Sequence, residues 1–133
     1  MNILAGTSKG IFSVDGTNAQ CVLESVGVRD LVEIDSSLFA GTDAGVFQSD
    51  DDGDSWCCVG LENREIWQIR SASNSVVYAV TQPAGLYRSS DGGFSWQEVQ
   101  AFAKMPEAAK WCLPVTPPLP PRARALVIDR NDP

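Results

Sequence analysis

The sequence predicts an all-β fold of about three four-stranded antiparallel sheets, and three observations predict it. The first is an eight-residue stretch used twice, Ser49-Asp50-Asp51-Asp52-Gly53-Asp54-Ser55-Trp56 and Ser89-Ser90-Asp91-Gly92-Gly93-Phe94-Ser95-Trp96; both read S-x-D-x-G-x-S-W. The second is a shorter recurrence, Ile3-Leu4-Ala5-Gly6-Thr7, Leu38-Phe39-Ala40-Gly41-Thr42 and Val77-Tyr78-Ala79-Val80-Thr81, each followed by a turn and then Gly10-Ile11-Phe12, Gly45-Val46-Phe47 or Gly85-Leu86-Tyr87. The third is apolar alternation over residues 30–35, 65–70 and 124–129. It sets Val32, Trp67 and Leu126 in one row and Ile34, Ile69 and Ile128 in another, two apart and so on one strand face. Four short strands per roughly 40 residues make the blade of a β-propeller. With strand a innermost and strand d outermost, the chain reads b-c-d, a-b-c-d, a-b-c-d, a, an incomplete β-propeller. The expected boundaries are blade 1 over 1–26, blade 2 over 28–61, blade 3 over 64–100, a Pro-rich insertion over 101–121 and an extra strand over 122–129.

Each element has a local reason. In the first repeat the eight-residue stretch is eroded to Val14-Asp15-Gly16-Thr17-Asn18-Ala19-Gln20-Cys21, where Asn18 is expected to replace the turn glycine, asparagine being the next best residue for a left-handed conformation. In the two intact stretches Asp51 and Asp91 are placed to accept hydrogen bonds from turn N–H groups. Gly53 and Gly93 supply positive φ. Ser49, Ser55, Ser89 and Ser95 offer hydroxyls for cross-turn bonds, and Trp56 and Trp96 carry large apolar surface to bury between sheets. In the insertion, residues 102–110 suit a helical turn or two. Residues 114–121, with five prolines, cannot join a ladder and are expected as extended polyproline-like coil.

These residues resemble the Asp-box, or BNR repeat, of β-propellers such as sialidases, sortilin-type receptors and a photosystem assembly factor. The match to S-x-D-x-G-x-[ST]-W is complete in both stretches, and flanking similarity covers most of the chain. The resemblance implies a propeller with its boxes on outer hairpins, in a structural role remote from any ligand. The same box serves enzymes, receptors and assembly factors, so function does not follow from it.

Composition narrows the function classes. A net charge of −7 and a pI near 4.4 leave no broad basic face for nucleic acid, and disfavour an anionic membrane surface for the same reason. No apolar run approaches the roughly 18 residues that span a bilayer, and the first residues do not form a recognisable secretory signal. Cys21, Cys57, Cys58 and Cys112 have neither paired C-x-x-C spacing nor a histidine partner, which argues against zinc and suits reduced thiols in a cytoplasmic protein. The acidic run at Asp50–Asp54 invites a calcium reading, but the sixth and twelfth places of an EF-hand loop counted from Asp50 hold Ser55 and Leu61 rather than glycine and glutamate. No metal and no cofactor is expected.

With no histidine the chain has no Ser-His or Cys-His pair and no imidazole base, and no catalytic residue is assigned. Arg29, Arg64, Arg122 and Arg124 fall at the starts of innermost strands, hence at the channel mouth opposite the boxes; with Trp111 and the loop to Pro121 they form the expected ligand face. The arginine clustering resembles the carboxylate-binding triad of sialidases, but the Arg-Ile-Pro signature is absent, and Tyr78 and Tyr87 look like core aromatics. Pro117-Pro118-Leu119-Pro120-Pro121-Arg122 fits the P-x-x-P-x-R pattern of SH3 ligands and equally a rigid connector. The reading is a non-catalytic binding or scaffold module for a protein segment or a small polar or carbohydrate ligand, with a fragment of a sialidase-like glycoside hydrolase as the alternative. Three blades close a ring poorly. Two copies are therefore expected to join head to tail as a six-bladed homodimer, or else the chain is a poorly soluble piece of a longer gene.

Overall fold

The computed structural model describes residues 2–129 and Asn131, and its strands fall into three antiparallel sheets. Blade 1 holds β1 (Asn2–Thr7), β2 (Gly10–Asp15) and β3 (Asn18–Glu24). Blade 2 holds β4 (Val28–Ile34), β5 (Ser37–Thr42), β6 (Gly45–Ser49) and β7 (Cys57–Gly60). Blade 3 holds β8 (Glu65–Ser71), β9 (Val77–Gln82), β10 (Gly85–Ser89) and the short β11 (Gln97–Glu98). In each sheet the strands lie in chain order. The architecture is that of β-propeller blades, blade 1 having strands b, c and d among the described residues.

Register fixes which end of a blade carries which turn. In blade 2 Val28 pairs with Thr42 and Gly45 with Thr42, whereas Ile34 pairs with Ser37 and Leu38 with Ser49. The start of strand a therefore shares an end with the b–c turn, and the S-x-D-x-G-x-S-W turn lies at the other end. Blade 3 repeats this, Ile66 and Gly85 both pairing with Thr81, and Ser71 and Ser89 both with Val77.

The core sits between blades 2 and 3. Ile34, Phe39 and Val46 pack with Ile66, Ile69, Val77 and Ala79, and Trp96 lies against the cluster. Small residues let the blades approach. A Cβ on Gly41 would meet the Ile66 side chain at 3.0 Å, and one on Gly6, at the same place in blade 1, would meet Val28 at 2.6 Å. Ile66 and Val28 are thus equivalent residues of successive innermost strands.

Several sequence expectations need correction. Innermost strands carry a bulge, at Arg29 between Val28 and Asp30 in blade 2 and at Trp67 between Ile66 and Gln68 in blade 3. The expected row of Val32 with Trp67 and of Ile34 with Ile69 is therefore out of register: the ladders make Arg29 equivalent to Trp67, Asp30 to Gln68 and Leu31 to Ile69. Among the described residues, 122–129 join no ladder, although the backbone N–H of Ala123 bonds to the Thr81 carbonyl at 2.9 Å. In blade 1 the eroded turn is a tight hairpin in which Gly16 takes the positive φ, 60°, and Asn18 pairs with Asp15 as the first residue of β3. Without the first serine of the box, Val14 continues the ladder to Ala19. In the insertion the helical turns are α1 (Gln100–Ala103) and a 3-10 turn at Ala108–Lys110. The proline run doubles back rather than running straight, closed by a bridge between Leu113 and Leu119.

Candidate binding site

The bulges build the site. An extra residue breaks the two-residue alternation of a strand and re-aims one side chain, here that of Arg29 and that of Trp67. The residue after each bulge then grips the next innermost segment. Asp30 Oδ2 accepts from the backbone N–H of Ile69 at 2.8 Å, and Gln68 Oε1 accepts from that of Leu126 at 2.8 Å. Since Asp30 and Gln68 are equivalent, Leu126 is equivalent to Ile69 and Arg124 to Trp67. Arg29, Trp67 and Arg124 are thus the same position in three successive segments around the inner ring.

They converge accordingly. The guanidinium of Arg29 lies 4.7 Å from the Trp67 ring centroid, that of Arg122 4.6 Å and that of Arg124 5.7 Å. Cations within about 6 Å of an indole face are attracted by its quadrupole, so one ring holds three charges that would otherwise repel. Glu65 approaches Arg29 at 3.4 Å. Two donors of the cluster, Trp67 Nε1 and Arg122 Nε, are buried without a hydrogen-bond partner among the described residues. A buried orphan donor costs about 1–3 kcal/mol. The cluster is a concentrated positive spot on a chain of net charge −7.

Beside it the insertion forms the wall of a cleft of about 470 Å³, lined by Asn63, Glu65, Gln82, Leu113, Leu119 and Arg122. Gln82 Nε2 donates to the Pro120 carbonyl at 2.9 Å and ties the insertion to the b–c turn of blade 3. Leu113 and Leu119 give the cleft an apolar side, and Leu119 is exposed. Of the other residues expected on this face, Arg64 stacks on Tyr87 of β10 at 5.6 Å, and Trp111 packs against Phe102 inside the insertion at 5.6 Å; neither joins the group around Trp67. Burial raises the Tyr87 phenol above its ordinary value, opposed by Arg64. Sequence reasoning missed Trp67 and Gln82. Anchoring the alignment on Thr42 and Thr81 of strand b, instead of on strand a's own alternation, would have found Trp67.

The two S-x-D-x-G-x-S-W turns lie at the opposite end of the blades and share one bonding scheme. Ser49 Oγ donates to Asp51 Oδ1 at 2.7 Å and accepts from Gly53 N at 2.9 Å; Ser55 N and Oγ donate to the two Asp51 oxygens at 2.8 and 2.5 Å; Trp56 Nε1 donates to the Gly53 carbonyl at 2.9 Å. Ser89, Asp91, Gly93, Ser95 and Trp96 repeat this. In the acidic run, Asp50 accepts from Ser37 Oγ and Gln48 Nε2. The Ser55 hydroxyl first, then the Ser55 N–H, holds the Asp51 carboxyl down at about 2 from an ordinary 3.8; the Ser95 and Ser89 hydroxyls do the same for Asp91, also about 2. A carboxyl whose folded value lies below its unfolded one contributes stability that is whole above the unfolded value and is lost as pH falls through the folded value. The contribution of both turns is therefore expected to fade between pH 4 and 2. Melting temperatures read across that window should fall less steeply for Ser95→Ala than for the parent; an unchanged slope would show that Asp91 is not held by Ser95.

Sheet order, register and the inner ring define three blades of a β-propeller. Among solved structures, that of YCF48 bound to D1 peptide, a β-propeller, superposes with a TM-score of 0.61 at 17% sequence identity over 77% of this chain. The chain spans 37% of the length of that one. No family model and no curated protein matches the sequence.

Proposed function

We propose that this is a non-catalytic Asp-box propeller module that binds an extended protein segment across its arginine face. A carboxylate of the segment would sit among Arg29, Arg122 and Arg124, and an adjacent apolar side chain would enter the cleft beside Leu113 and Leu119. One observation carries the reading: three guanidinium groups gathered on Trp67 beside two orphaned donors, a surplus of positive charge and N–H groups that an incoming anion would satisfy. That YCF48, a propeller of similar fold, has been solved with a peptide bound supports a protein segment over a small polar or carbohydrate ligand. A reducing, cytoplasmic compartment is part of this proposal, on the cysteine usage of the sequence alone.

Fluorescence anisotropy with labelled peptides tests this, using a panel that pairs a carboxylate with a neighbouring leucine and amide counterparts of each. Carboxylate peptides are expected to bind and the amides to fail. Arg122→Ala should weaken binding about tenfold and Trp67→Ala about thirtyfold or more, as expected of a buried charge-assisted bond and of an aromatic anchor. Binding should weaken with added salt. Equal affinity for the amides would sink the reading, and turnover of a fluorogenic sialoside would replace it with the glycoside hydrolase alternative.

A further inference from the structure

The turn between β6 and β7 carries a surplus of acceptors that its own bonding scheme does not use. Residues 30–63 hold nine of the 17 acidic side chains and no lysine or arginine, so blade 2 is the negative pole of the chain. Asp50, Asp51, Asp52 and Asp54 crowd into this turn, and among the described residues no lysine or arginine forms an ion pair with them. Beside them opens a pocket of about 230 Å³, lined in part by Gln48, Asp50, Asp51 and Ser55. Gln48 belongs to its wall although it is polar and only 4% exposed. Its Nε2 donates to Asp50 Oδ1 at 2.9 Å, which orients the amide: turned over, Oε1 would face a carboxylate oxygen. Held this way, Oε1 is buried with no donor among the described residues. The Ser37 hydroxyl also bonds to Asp50 Oδ1, so Oδ2 remains to accept. Blade 3 shows that the turn does not need this pair. Arg88 stands there at the place of Gln48 and Ser90 at that of Asp50, yet the bonds of the turn recur unchanged.

The geometry points to a second binding site, a pocket that takes an arginine side chain of a partner protein, its guanidinium bridging the Asp50 carboxylate and the Gln48 carbonyl oxygen. A guanidinium carries several N–H donors in a planar fork and no acceptor. It can therefore serve separate oxygens at once, among them the one that has no donor. A metal ion needs the reverse arrangement, several bare oxygens converging on one point. Among the described residues no group of three His, Cys, Asp or Glu side chains converges in this way, and the Asp51 oxygens are already engaged by Ser49 and Ser55. Asp51 contributes its charge instead, since the hydroxyls that hold its carboxyl at about 2 keep it ionised at neutral pH. The negative field of blade 2 draws a cationic partner in, and added salt weakens that attraction. The pocket lies at the opposite end of the blades from Trp67 and is independent of the peptide site proposed above.

A proton–nitrogen NMR titration of the full chain with N-acetylarginine amide tests this. The side-chain amide of Gln48 and the backbone signals of residues 50–57 are expected to shift together. N-acetylcitrulline amide, which has nearly the same shape without the charge, should leave them in place. Asp50→Ser copies blade 3, and Gln48→Leu keeps the bulk while removing the acceptor. Each should weaken the response of residues 50–57 about tenfold, as expected for a lost bond to a charged group, with the circular dichroism spectrum unchanged. Arg122→Ala, on the opposite face, should leave the titration as it is in the parent. Shifts confined to residues 52–54 would show only a loose ion atmosphere around the turn and would overturn the inference. Equal shifts with the citrulline probe would do so too, as would calcium chloride saturating the same signals at a lower concentration than the arginine probe.

Discussion

Gly93→Ala is expected to destabilise the protein by about 2–6 kcal/mol, measured by urea unfolding. Gly93 has a φ of 100°, where a side chain costs about 1–3 kcal/mol of backbone strain. Its added Cβ would also stand 2.6 Å from Cε1 of Phe39, a ring 1% exposed at the centre of the core between blades 2 and 3. Overpacking of this kind adds about 1–3 kcal/mol. Gly92→Ala is the control that separates the two terms, because Gly92 also has a left-handed φ, 77°, but nothing lies within 4 Å of its Cβ. If both variants lose the same amount, Phe39 yields freely and the close contact carries no energy.

Trp96→Ala is expected to cost about 3 kcal/mol. The indole is half-buried, lies against the same core and covers Gly60 of blade 2, where an added Cβ would meet Cδ1 of the ring at 2.7 Å. Its Nε1 donates to the Gly93 carbonyl at 3.0 Å. Partial exposure puts the loss at the low end of the range for a buried tryptophan. A loss under about 1 kcal/mol would mean that the ring packs on blade 2 without stabilising it.

Strands b, c and d could be read from the sequence because short signals anchor them: Gly6 and Gly41 on strand b, and a turn fixed by serine, aspartate and glycine before each Trp. The innermost strands could be placed but not registered. Apolar alternation survives a shift of three residues when a bulge intervenes, so Trp67 looked like a core residue in the row of Val32. The ladder instead puts it level with Arg29, and this turns a presumed core side chain into the centre of the candidate site. Three of the four arginines assigned to the ligand face from topology do gather there; Arg64 precedes β8 and goes to Tyr87 instead. Residues 124–129 have the alternation of a strand, but alternation states only a propensity. A ladder also needs a partner edge, which the described part of one chain does not provide.

The contacts between blades have a direction. Gly53 of blade 2 and Gly93 of blade 3 reach backward, onto Leu4 of blade 1 and Phe39 of blade 2, while Asp30 and Gln68 reach forward to the N–H groups of Ile69 and Leu126. Every unit therefore has a distinct leading and trailing side, like a tile with tongue and groove. An in-frame tandem duplication of one unit would present each new side to a counterpart that already fits it. An arc built this way can lengthen by recombination without inventing an interface, and Gln68 in place of Asp30 indicates that the forward tongue tolerates an uncharged acceptor as the units diverge.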